Sequence, residues 1–155
     1  MVSLLSLLAS VFALSSPAFT SGHAIPQQYT CDGAGRSPAL RWTAPPRGTR
    51  SLALAVDDPD APSGTFTHWL AWGIKPTVRR LGPGARPPRQ GRNSAGTVGY
   101  TGPCPPPGPA HHYIFKLYAL RKPLPLRAGA SRGAFDRALR GRVLRVARLV
   151  GRYGR

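Results

Sequence analysis

The chain has 155 residues, enough for one domain with a real core and too few for two comfortable ones. Its 18 glycines and 18 prolines are poor in helix or strand interiors and argue against a helical bundle, in favour of short strands joined by turns. The net charge of +17 comes from 22 basic residues, of which only Lys75, Lys116 and Lys122 are lysine, set against five acids; with no nucleic-acid motif beside it, the excess reads as a solvated surface and makes nucleic acid an unexpected partner.

In chain order, Val2 to Leu14 is a mostly apolar run. It resembles the apolar segment of a signal peptide with cleavage after Ala13, but no basic residue precedes it. It is too short to span a bilayer as a helix, and a first strand entering the core explains it equally. Residues 1–13 are therefore set apart from a single domain over 14–155, and the compartment stays open. Arg50 to Asp58 reads as a strand with Leu52, Leu54 and Val56 on one face, closed by Pro59 and Pro62. A second strand runs from His68 to Ile74, with His68, Leu70, Trp72 and Ile74 expected on one side. Neither shows polar alternation, so both are expected in the middle of a sheet.

Leu81 to Ala110 is dense in Gly, Pro and Arg, a loop long enough to be functional or disordered. His111 to Leu120 is the clearest strand: His111, Tyr113, Phe115 and Leu117 share one face, while His112, Ile114, Lys116 and Tyr118 share the other. Ser131 to Arg140 reads as a helix capped by Ser131, with Phe135, Ala138 and Leu139 as its apolar stripe. Beyond Gly141 the pattern fits either a continued helix, through Val143, Val146 and Val150, or a closing strand from Val143 to Tyr153. The order of elements suggests an antiparallel sandwich.

Asp57, Asp58 and Asp60 are three of the five acids, and His68, His111 and His112 three of the four histidines. All sit where these strands begin or end, a place where a sheet aims side chains into a cleft. A carboxylate beside an imidazole fixes its tautomer and favours its cation, so Asp58, His68 and His111 with the Tyr113 hydroxyl suit an anion receptor. Asp58, His68 and His111 would also make a two-His-one-carboxylate metal site, but no short spacing supports it. A serine hydrolase lacks its GxSxG elbow. Cys31 and Cys104 are one disulfide or two free thiols on this reading.

The run Asp57-Asp58-Pro59-Asp60-Ala61-Pro62-Ser63-Gly64-Thr65-Phe66-Thr67-His68-Trp69 resembles the first signature of the phosphatidylethanolamine-binding protein family. Gly99 to Pro106, followed by His111 to Leu120, resembles the second. Tyr29 to Gly33 and Gly151 to Arg155 are similar to the bacterial Raf-kinase-inhibitor-like branch. From this resemblance, covering about Ser16 onward, follows a mainly β fold: a two-sheet antiparallel β-sandwich with a C-terminal helix and a final strand. It implies a non-catalytic pocket for phosphate-type anions or phospholipid head groups, with no cofactor or metal. Asp58 and His68 carry over from the first motif, Gly102, Pro103, His111 and Tyr113 from the second, and Asp60 supports the loop. It also implies that Cys31 and Cys104 pair. Two other classes stand beside it: a protein–protein modulator such as a protease or kinase inhibitor, and an Arg-driven binder of nucleic acid or anionic membrane.

Overall fold

The computed structural model describes residues 10–155, so the first nine residues of the chain, with most of the apolar N-terminal run, lie outside it. Two antiparallel sheets face each other. One is built from β1 (Leu14–Ser15), β2 (Leu40–Trp42) and β5 (Arg80–Leu81), in the order β1-β2-β5. The other comprises β3 (Ser51–Asp58), β4 (Phe66–Ile74), β6 (Arg89–Gln90), β7 (His111–Leu120) and β8 (Val143–Tyr153), in the order β6-β4-β3-β7-β8. This is the expected β-sandwich, with one α-helix among the described residues, α1 (Arg132–Leu139), after β7. β3 lies between β4 and β7 and is buried along its whole length, which is why it carries no polar alternation.

The core forms two layers. Leu52, Leu54 and Val56 of β3 and Tyr113, Phe115 and Leu117 of β7 meet Leu14, Leu40 and Trp42 of the smaller sheet. Phe12, within the N-terminal apolar run, is buried in the same layer. On the other side of β3, Ala53 and Ala55 leave room for α1, whose Phe135 packs against Trp72 and Tyr118 at ring distances of 6.1 and 6.2 Å. Burying one such ring stabilises the fold by about 1.5–3 kcal/mol. Ser131 caps α1 by accepting from the Ala134 N–H at 3.2 Å.

One expectation changes, and one open choice is settled in favour of the final strand. The face assignment in β4 fails because the strand departs from its register with β3 twice: Leu52 opposes Ile74 but Leu54 opposes Ala71, and Val56 opposes Trp69 but Asp57 opposes Thr67. Each bulge adds a residue and flips the side-chain parity. His68 and Ile74 therefore lie on the inner side with Trp69 and Ala71, while Leu70 and Trp72 pack under the helix. Gly73, with φ +72°, supplies the left-handed residue that the bulge between Ala71 and Ile74 needs. The tail beyond Gly141 is a strand, paired with β7 from His111↔Tyr153 to Leu120↔Val143. Its buried residues are Ala147, Leu149 and Gly151, whereas Val146 of the helical stripe is 37% exposed.

The long Gly/Pro segment is built rather than bare. It contains β6, and the buried Asn93 holds its turn, donating from Nδ2 to Thr97 Oγ1 at 2.8 Å and to the Gly99 carbonyl at 2.9 Å.

Candidate functional site

β3 ends, β4 begins and β7 begins at the same edge of the large sheet, which brings Asp58, His68 and His111 together. They line a cavity of about 400 Å³ whose other walls include Ala61, Pro62, Phe66, Thr101, Gly102 and Cys104.

Asp58 is 3% exposed. Its Oδ2 accepts from His111 Nδ1 at 2.7 Å, and its Oδ1 accepts from the Asp60 backbone N–H at 2.8 Å. The expectation that Asp58 orients both histidines is half met. His68 instead donates from Nδ1 to the Thr101 carbonyl at 2.8 Å. Both rings are thereby fixed in the same sense: Nδ1 carries the proton, and Nε2 is left for a ligand. Burial holds the His68 imidazole below the usual histidine range, opposed by the Thr101 carbonyl and by the charges of Asp58 and Asp57. A ligand-free His68 is thus a neutral hydrogen-bonding group at neutral pH.

Asp60 stands outside the cavity walls. Its Oδ2 accepts from His112 twice, from Nδ1 at 2.7 Å and from the backbone N–H at 2.8 Å. Those bonds hold its carboxyl below the usual carboxylate range and pin the loop after β3 to the start of β7, the supporting part expected of it. His112 points away from the cavity, as strand parity requires. Tyr113 lies behind the first row: its ring meets His68 edge-on at 5.2 Å, and its buried hydroxyl has no hydrogen-bond partner. Burial, with Asp58 and Asp60 nearby, raises its pKa above the usual tyrosine range, so it stays protonated.

Gly102 is on the cavity wall, while Pro103 is buried behind it and accepts from the Cys31 N–H at 3.0 Å. A Cβ on Gly102 would sit 2.8 Å from the Tyr29 carbonyl oxygen and 3.0 Å from Thr30 Cα, so this close approach demands glycine. Cys31 and Cys104 are joined, with Cα atoms 5.4 Å apart.

Two contributors escaped the sequence reading. Thr101 acts through its backbone carbonyl, which every residue type possesses. Phe66, 4.7 Å from the His68 ring, is a wall residue whose aromatic type was visible but whose inward direction depended on the bulge. Among the described residues, no cluster of three His, Cys, Asp or Glu side chains is placed to hold a metal.

The family model described as phosphatidylethanolamine-binding protein matches residues 15–154. A UPF0098 protein of Pyrococcus horikoshii is 44% identical over 149 residues, covering 90% of this chain and 75% of that one. A UPF0098 protein of Methanothermobacter thermautotrophicus is 46% identical over 152 residues, covering 92% and 98%. Among solved structures, a putative phosphatidylethanolamine-binding protein homolog, CT736 from Chlamydia trachomatis, superposes with a TM-score of 0.89 at 38% identity, covering 94% of this chain and 98% of that one. E. coli YbcL, described as a member of the mammalian PEBP family, gives 0.88 at 31% identity, covering 94% and 99%.

Proposed function

The chain belongs to the phosphatidylethanolamine-binding protein family, and we propose that it is a non-catalytic binder of a small phosphate-type anion, free or as a phospholipid head group, held between His68 and His111. The observation that carries this reading is the pair of imidazoles on one cavity whose Nδ1 atoms are already committed, to Asp58 and to the Thr101 carbonyl. Each ring then has one polar atom for the ligand. When the anion brings a second proton to a ring, its Nε2 donates to an anionic oxygen, and the buried Asp58 carboxylate, already bonded to His111 Nδ1, sits beside the pair. The neighbouring proline, alanine and phenylalanine walls keep water from competing and suit the short carbon chain of a phosphate ester.

A His–Asp pair is also the base half of a hydrolytic triad. What favours binding is the composition of the walls: Thr101 is the one hydroxyl-bearing residue on them, and both cysteine sulfurs are joined to each other.

Calorimetric titration with phosphorylethanolamine tests the reading. A charge-assisted hydrogen bond is worth about 1.5–3 kcal/mol, so His68→Ala should weaken binding roughly tenfold or more. Equal affinity in wild type and variant would remove the cavity from the account.

A further inference from the structure

We propose that the Cys31–Cys104 disulfide is a thiol-exchange site on the wall of the anion cavity, and that opening it frees the segment that positions His68. The ligand readout rests on the anion-binding reading above; the clasp itself rests on geometry.

Residues 100–104 form a strip held on two sides. Toward β4, the Thr101 N–H donates to the His68 carbonyl at 2.9 Å, and the Thr101 carbonyl receives the His68 ring. Toward the turn at residues 29–31, the Tyr100 hydroxyl donates to the Tyr29 carbonyl at 2.8 Å, and Gly102 presses on the same backbone. The Cys31 N–H donates to the Pro103 carbonyl, and the disulfide closes that side covalently across 73 residues of sequence. Thr101, whose carbonyl sets the His68 tautomer, thus shares one short strip of backbone with Cys104, whose bonded sulfur belongs to a residue that itself lines the cavity. Cutting the bond leaves hydrogen bonds alone to hold the wall.

The bond is also placed to react. Both cysteines are exposed. Arg155 Nη1 lies 3.9 Å from Cys104 Sγ, while its Nη2 lies 3.1 Å from Asp32 Oδ1. The Tyr153 hydroxyl donates to the same Asp32 carboxylate, so the end of β8 carries a guanidinium to the sulfur. A cation there stabilises a departing thiolate. The thiolate of a dithiol reductant attacks Cys31 Sγ, the S–S bond breaks, and the electron pair leaves on Cys104 Sγ. The second thiolate of the reductant then attacks the mixed disulfide and releases Cys31 as a thiolate. Two electrons have passed, the reductant has become a cyclic disulfide, and its two protons end on the two protein sulfurs.

Dithiothreitol is the probe, applied to the native full chain. Thiol counting should show two thiols released without unfolding, several-fold more slowly in Arg155→Gln. The His68 imidazole, followed by NMR against pH, should titrate at higher pH after reduction, as water enters behind the loosened wall. Phosphorylethanolamine affinity should fall roughly threefold to tenfold, the cost of re-ordering one or two side chains. The Cys31→Ser/Cys104→Ser variant should match the reduced protein in both respects. No thiol release from the native protein overturns the proposal, as does an unchanged His68 titration in the reduced protein. If the oxidised protein binds no phosphorylethanolamine at all, the anion-binding reading is what fails, and the His68 titration alone decides the clasp.

Discussion

His68 has 4% of its surface exposed and is held neutral by that burial. Its pKa in the folded chain lies below the unfolded value, so the unfolded state takes up the proton first as pH falls. Stability contributed by neutral His68 is full above about pH 6.5 and is lost on acidification below it; each tenfold difference in proton affinity between the two states is worth about 1.4 kcal/mol. Thermal melts from about pH 7.5 to about pH 5 should show a shallower loss in His68→Gln than in wild type, and added phosphate should blunt the loss in wild type. Parallel pH slopes would contradict the assigned environment. The residues at stake were legible because the chain is so sparing with them: five acids and four histidines leave few ways to build a polar site. The partner of His68 was not legible. A backbone carbonyl has no sequence signature, and the pairing of Asp58 with His111 rather than His68 is set by where three strand ends meet.

α1 is tied to the large sheet by Arg132, which spans the two acids Asp57 and Asp136. Its Nη1 donates to Asp57 Oδ1 and, at 2.9 Å, to Thr67 Oγ1; its Nη2 donates to Asp57 Oδ2 at 3.0 Å, and its Nε to Asp136 Oδ1 at 2.8 Å. Asp57 thus faces the helix, while its neighbour Asp58 faces the cavity. The Asp57 side chain is only 7% exposed, and removing one partner of a buried pair strands the other. Asp57→Asn should cost about 2–4 kcal/mol in urea unfolding yet leave phosphorylethanolamine affinity near wild type once folded. A loss of binding larger than the loss of folded protein would mean that the helix side also shapes the site. At this scale the sequence was legible wherever period and hydrogen-bond register agreed, as in β3, β7 and α1. It misled where they parted. The two bulges of β4 changed which side chains face inward. In β8 Val146 of the helical stripe is exposed and Val143 and Val150 are only half-buried, while Ala147 and Leu149 carry the burial between arginines.

Over the whole molecule, every acid is engaged: Asp32 with Tyr153 and Arg155, Asp57 and Asp136 with Arg132, Asp58 with His111, and Asp60 with His112. The net charge of +17 therefore stands on cations without acidic partners, and it draws small anions toward the protein whatever the site. That field was plain in the composition. Its distribution was not, because it depends on which few cations the five acids take up. Bulk anion affinity alone is consequently a weak test, since a diffuse field and a built cavity both produce it. The distinguishing measurement is NMR of the histidine ring nitrogens during a phosphorylethanolamine titration at moderate salt. His68 and His111, which share the cavity, should shift at Nε2 together and saturably, while His23 and His112 stay where they were. Shifts spread over all four rings, or confined to His23 and His112, would contradict an anion site between His68 and His111.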